Sequence, residues 1–166
     1  MQTVSLSNGQ HDRSRFDCGE DDLNNYLKVI ANQQSKRDNS RTFVLENIED
    51  PSQIVGFYTL TMATIDLSAL PTKLKKKHSN TTSAGLIARL AVDKRFKGQR
   101  IGEWLLIDAL QKLLSASDTV GFPLVIVDAK DGVEGFYQQY GFNAFADESN
   151  RLFMTVADIR ASFSNS

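Results

Sequence analysis

The sequence predicts an α/β domain in which helices cover the faces of a mixed central sheet. Three observations lead there. Two strand-like runs, Arg41–Leu45 and Ile54–Met62, flank a polar, turn-like segment, Asn47–Ser52, the pattern of an antiparallel hairpin. Two more apolar runs follow, Ala84–Val92 and Pro123–Ala129, the second short enough to be a buried parallel strand. A helical stretch, Arg100–Leu114, separates them, so the order strand, helix, strand calls for a right-handed crossover.

A length of 166 residues suits one domain spanning 1–166 with one sizeable core. No apolar run approaches the ~20 residues that a membrane-spanning helix needs. The start, MQTVSLSNGQHDRSRF, lacks the basic-then-apolar layout of a signal peptide. The single cysteine, Cys18, has no internal disulfide partner, and no Cys/His cluster suggests zinc. These features together predict a cytoplasmic, reduced protein without a metal. The net charge of -1 hides an asymmetry: residues 1–100 carry 15 Lys/Arg against 11 Asp/Glu. The excess gathers in Lys73–Lys77 and in Lys94, Arg95, Lys97 and Arg100. Such patches attract phosphate-bearing ligands even on a near-neutral chain, although for the first run a solvated lysine face is the favoured reading.

The elements follow in order. Residues 20–35 place Leu23, Tyr26, Leu27 and Ile30 at helical spacing, with acidic residues in the first turn. The hairpin comes next. Residues 65–82, with Pro71 and the lysines, read as a loop with room for a short helix. After the strand Ala84–Val92 and the loop 93–99, Ile101, Leu105, Ala109 and Leu113 recur every four residues, with Leu106 and Leu110 beside them. A second helix is expected over Asp131–Tyr140, capped by Asp131 with Glu134 three residues on and stopped by Gly141. Phe142–Phe145 and Arg151–Val156 complete the sheet. His11 and His78 lie in polar stretches and are expected to be exposed.

Two elements carry chemistry. In Lys97-Gly98-Gln99-Arg100-Ile101-Gly102, glycines allow close backbone approach just where a helix start offers unpaired N–H groups and a partial positive charge. That is a cradle for a diphosphate, though a glycine before a helix is also commonplace. It is neither a nucleoside-triphosphate loop nor a dinucleotide fingerprint. The second element, Gly135–Phe142, sets Val133, Phe136, Tyr137 and Tyr140 on one helix face. Both tyrosines could simply be amphipathic core residues.

Together, Arg89-Leu90-Ala91-Val92-Asp93, the loop Lys97–Gly102 and Phe136-Tyr137 followed by Gly141-Phe142 resemble the GNAT family of N-acetyltransferases. The resemblance implies a GNAT fold, with a splayed parallel strand pair whose gap takes the pantetheine arm of acetyl-CoA. The family loop usually reads Gln/Arg-x-x-Gly-x-Gly/Ala. Here Lys97 holds the first position, Arg100 the fourth, and Gly102 matches strictly. Leu90, Ala91, Val92, Lys97, Gly98, Gln99, Arg100, Ile101 and Gly102 are the cofactor-binding residues so implied. Phe16-Asp17-Cys18-Gly19, Leu23, Tyr26-Leu27, Arg41–Val44 and Val55–Leu60 extend the resemblance to the GNAT toxins of bacterial toxin–antitoxin pairs. These acetylate the α-amine of aminoacyl-tRNA, block translation and are neutralised by a small DNA-binding antitoxin.

Amide formation needs donors aimed at an oxyanion, which backbone N–H groups around Ala91 and Val92 can supply. It also needs a proton for the departing thiolate, whose parent pKa is about 8.5 with free Cys as the guide. Resemblance places that general acid on Tyr137, with Tyr140 the nearest competitor and the likelier packer of the two. Cys18 has no activating neighbour, which disfavours an acyl-enzyme. A tRNA substrate calls for a basic funnel, for which Arg89, Lys36, Arg37, Arg41 and Lys73–Lys77 are candidates; the overall charge of -1 argues the other way. Three functions follow: the tRNA-acetylating toxin, a GNAT enzyme acting on a small-molecule or protein amine, and an inactive GNAT-fold binding module. No membrane partner is expected, and a homodimer is one option.

Overall fold

The computed structural model describes residues 1–7, 9–66, 81–145 and 150–164. Its strands are β1 (Thr3–Ser5), β2 (Arg41–Glu46), β3 (Ile54–Asp66), β4 (Thr81–Val92), β5 (Leu124–Asp128), β6 (Asn143–Ala144) and β7 (Arg151–Thr155). Its helices are α1 (Asp21–Asn25), α2 (Ala31–Lys36), α3 (Ile101–Val120), α4 (Glu134–Gln138) and α5 (Val156–Ser164). A π-helical turn, Tyr26–Ile30, joins α1 to α2. The strands form one mixed sheet in the order β1-β2-β3-β4-β5-β7-β6. No described helix is long and apolar enough to cross a membrane. Two compact units divide the chain: Met1–Thr61 with Ala88–Ala109, and Met62–Ile87 with Leu110–Ser166.

In the first unit, β2 pairs antiparallel with β1 and β3, with a register shift at Leu45/Glu46. The expected hairpin is there, its turn built by Asp50, whose carboxylate accepts from the backbone and hydroxyl of Ser52. The core gathers Phe16, Cys18, Leu23, Tyr26, Leu27, Val44, Ile54 and Phe57. Phe57 is its hinge: Phe16 meets it edge-on at 5.4 Å and Tyr26 stacks on it at 6.5 Å. The π turn explains how Tyr26 and Ala31 are both buried. Positions five apart on an α-helix face directions about 140° apart; here Ala31 N–H bonds to the Tyr26 carbonyl and brings both inward.

His11 corrects the sequence expectation. It is buried, not exposed. Its Nδ1 accepts the Ser7 N–H at 3.0 Å, so Nε2 carries the proton and donates to Glu46 at 2.7 Å. A polar stretch hides a histidine whenever two partners satisfy its ring nitrogens. His78 and the run Lys73–Lys77 lie outside the described residues.

In the second unit, β4 and β5 run parallel from Ala84↔Leu124 to Ile87↔Val127. The paired stretch ends there, while β4 continues to Val92. β7 flanks β5 antiparallel. Gly85 is required by packing, since a Cβ there would meet Leu113 at 2.9 Å and Phe122 at 3.0 Å. The helix expected over Asp131–Tyr140 is shorter. Asp131 does not cap it: its carboxylate holds the Asn150 amide at 2.6 Å, and Val133 occupies the cap position without a side-chain bond. The stop is as expected. Gly141 has φ 101°, Phe142 N–H reaches the Tyr137 carbonyl and Gly141 N–H reaches that of Gln138, which makes a Schellman motif.

Candidate active site

The loop after β4 is anchored before it reaches α3. Asp93 is fully buried, and its carboxylate collects four donors: the Arg95 N–H at 2.9 Å, Arg95 Nε at 3.0 Å, Arg95 Nη2 at 2.9 Å and the Asp17 N–H at 3.1 Å. Burial alone would raise its pKa; the Arg95 guanidinium and the two backbone N–H groups outweigh burial and hold it low. The bond runs the other way too, since Lys94 N–H donates to the Asp17 carbonyl at 2.9 Å. Lys94 Nζ sits 2.9 Å from the Asp17 carboxylate. With the Gly19 N–H and the Asn24 amide, it holds that group well below the usual carboxylate range. The two short sequence stretches Phe16–Gly19 and Arg89–Asp93 therefore form one clasp.

The loop that leaves this clasp bends sharply. Gly98 has φ 85° and open space where a Cβ would stand. Arg100 has φ 58°, in the left-handed region, although it has a Cβ. Its side chain is 88% exposed. Trp104 N–H bonds to the Arg100 carbonyl at 3.1 Å, so the amides of Ile101, Gly102 and Glu103 begin α3 without helical acceptors. Unpaired amides, the positive end of a 20-residue helix and an exposed guanidinium fit a diphosphate. Lys97 is already engaged: Nζ donates to the Cys18 carbonyl at 2.8 Å. At the end of β4, Gly56 lets the strand approach. A Cβ there would meet Leu105 at 2.7 Å and the Ala91 carbonyl at 3.0 Å.

The expected basic funnel separates into different tasks. Arg41 caps the helical arm: its guanidinium donates to the Ser35 carbonyl at 2.9 Å and the Ser40 carbonyl at 3.1 Å, and pairs with Asp38 at 2.5 Å. Lys36 and Arg37 are exposed at the end of α2, with no ion-pair partner among the described residues. Arg89 is exposed on β4, its Cζ 4.7 Å over the Tyr26 ring.

In the second unit, Tyr137 is 5% exposed on α4. Its ring is wedged edge-on against Phe136 at 5.0 Å and Phe142 at 5.9 Å. Burial pushes its pKa up to about 12. The expected common face is uneven: Val133 is exposed, Phe136 and Tyr140 half-buried, and Tyr137 alone buried. The hydroxyls of Tyr58 and Tyr26 are taken up by Asp108 at 2.6 Å and Ser40 at 3.5 Å. That of Tyr137 has no hydrogen-bond partner among the described residues. Among the described residues no buried side-chain oxygen or nitrogen lacks a partner, so the unpaired Tyr137 hydroxyl is the accessible tip of an otherwise buried ring, where a substrate atom can meet it. Cys18 is buried and its thiol pKa is raised by that burial, which fits an inert role.

A family model described as an acetyltransferase (GNAT) domain matches residues 16–156. A probable toxin named TacT from Sinorhizobium fredii is 31% identical over 166 residues, 94% of this chain and 91% of that protein. A structure of AtaT complexed with acetyl-methionyl-tRNAfMet matches with a TM-score of 0.89 and 29% identity over 98% of both chains. AtaT also matches as a tyrosine-to-phenylalanine variant bound to the C-terminus of the antitoxin AtaR and acetyl-CoA. There the TM-score is 0.84 and the identity 26%, again over 98% of both chains.

Proposed function

Because this chain belongs to the GNAT family of acetyltransferases, we propose that it is an acetyl-CoA-dependent N-acetyltransferase whose acceptor is the α-amine of aminoacyl-tRNA. In this reading it is a cytoplasmic toxin that blocks translation and is neutralised by a small DNA-binding antitoxin. Similarity to toxins over nearly the full chain supports the biological role. The observation that carries the chemistry is Tyr137, whose ring is buried while its accessible hydroxyl has no protein partner.

The loop from Lys97 to Gly102 binds the diphosphate through the first amides of α3 and the Arg100 guanidinium. Lys97 fixes the loop through Cys18 rather than reaching outward. Backbone N–H groups near Ala91 and Val92 stabilise the negative charge on the attacked carbonyl oxygen. The amine nitrogen forms its bond to that carbon as the carbon–sulfur bond breaks, and the amine's proton passes to water. Tyr137 gives its own proton to the sulfur and is reprotonated from solvent. With its pKa near 12 it stays a donor throughout the physiological range. In this reading Arg89, Lys36 and Arg37 are the cations that meet the tRNA, while Arg41 holds the arm that carries two of them.

The test is expression in a bacterium with analysis of its tRNA. Growth and protein synthesis should stop, and aminoacyl-tRNA acetylated on the α-amine should accumulate. A small DNA-binding protein should be encoded beside the gene, and its co-expression should restore growth. Harmless expression together with acetylation of small amines in vitro would replace this reading with that of a metabolic acetyltransferase.

A further inference from the structure

We infer that Tyr26 is a positioning residue: its ring holds the Arg89 guanidinium flat so that the free edge receives one phosphate of the nucleic-acid acceptor. This inference rests on the proposed tRNA substrate. The Arg89 Cζ lies 4.7 Å over the Tyr26 ring centroid, within cation–π range. The Tyr26 ring cannot drift, because it stacks at 6.5 Å and 11° on Phe57, one of the fully buried side chains. Its hydroxyl is steered by Ser40 at 3.5 Å. One corner of the guanidinium is fixed as well, with Nη1 donating to the Ala88 carbonyl at 2.8 Å. The other donors, Nε and Nη2, have no partner among the described residues, and the side chain is exposed.

A guanidinium pinned by its face and one corner presents its remaining edge in a fixed direction. The paired N–H groups of such an edge match two phosphate oxygens, a geometry that lysine cannot copy. The π turn completes the argument. Tyr26 is its first residue, and its carbonyl accepts the Ala31 N–H. A π turn inside an α-helix is uncommon and concentrates at functional sites. Here it keeps both Tyr26 and the next helical turn against the core. Helical periodicity in the sequence places Tyr26 in the core; only the structure shows its other face carrying a cation.

Steady-state acetylation of bulk aminoacyl-tRNA tests this, with acetyl-CoA and tRNA varied separately. Tyr26→Leu should raise KM for aminoacyl-tRNA by about 2- to 5-fold, the range of one exposed cation–π contact. KM for acetyl-CoA and kcat should stay at parent values, and Tyr26→Phe should behave like the parent. Arg89→Ala should flatten the salt dependence of kcat/KM by about 0.7 in the log–log slope, as for one phosphate on a single strand. Adding Tyr26→Leu to Arg89→Ala should change nothing further. If Tyr26→Leu disturbs the core, replacing Tyr26 by phenylalanine bearing one to three fluorines keeps the shape and weakens the ring face, so KM should climb stepwise. Additive Tyr26 and Arg89 effects, or a flat fluorine series, would overturn the inference while the tRNA reading stands. A parent enzyme inactive on aminoacyl-tRNA would remove both.

Discussion

Asp93 Oδ2 accepts the backbone N–H of Asp17 at 3.1 Å, tying two stretches 76 positions apart just before the loop Lys97–Gly102. Asp93→Asn keeps the shape but turns an NH2 toward donors that need an acceptor. Charge-assisted hydrogen bonds contribute about 1.5–3 kcal/mol, so urea unfolding should show a loss of about 2–3 kcal/mol. Calorimetry should show weaker acetyl-CoA binding in the folded variant, because the loop loses its anchor. Unchanged stability would mean that Arg95 and Asp17 find other partners.

The same clasp sets the acid limit of stability. Asp17 and Asp93 both titrate below their unfolded values, the first held down mainly by Lys94, the second by Arg95 and backbone N–H groups against the effect of burial. A depressed carboxylate contributes stability that is complete above the unfolded pKa of about 3.9 and is lost as pH falls through the folded one. Stability should therefore hold from neutrality to about pH 5 and decline steadily below about 4. In Asp93→Asn the decline should be shallower. A parent protein equally stable at pH 2 and pH 6 would contradict the clasp.

Much of the fold is legible in the sequence because its signals are local. The hairpin runs, the four-residue spacing of Ile101, Leu105, Ala109 and Leu113, and the loop before them all appear where expected. The misses have physical causes. β1 spans three residues, too few for a period of two to register. His11 reads as polar, yet Ser7 and Glu46 satisfy it in the interior. Asp131 precedes a helix and looks like a cap, but a partner 19 residues on, Asn150, claims its carboxylate. α5, Val156–Ser164, is absent from the sequence reading because the apolar run in Arg151–Val156 reads as a strand and conceals the helix start; Val156 N–H bonding to the Pro123 carbonyl places it. Of the candidate site, the loop and Tyr137 stand in the sequence as motifs. That Arg41 works as a helix cap, Lys97 as a loop tether and Tyr26 as a platform depends on contacts between distant residues.

Arg100 offers a test in which stability and binding move in opposite directions. A side chain with a Cβ at φ 58° costs roughly 1 kcal/mol relative to glycine, offset in part by glycine's freer unfolded chain. Arg100→Gly should therefore leave thermal stability equal or raise it by up to about 1 kcal/mol. Acetyl-CoA affinity should fall, and its salt dependence should weaken. Equal affinity would show that the guanidinium does not serve the phosphates and that its strained backbone has another origin.

The most direct measurement is the rate at which parent, Tyr137→Phe and Tyr140→Phe proteins acetylate the α-amine of aminoacyl-tRNA. Tyr137→Phe removes one oxygen that has no protein partner, so its unfolding free energy should change by less than the ~1 kcal/mol of an ordinary hydrogen bond. Its kcat should nevertheless fall by about 10²–10⁴-fold, the usual contribution of a general acid. Tyr140→Phe should lose far less. A fully active Tyr137→Phe enzyme would show that the proton comes from elsewhere. A parent protein that leaves aminoacyl-tRNA untouched while acetylating other amines would contradict the account at its centre.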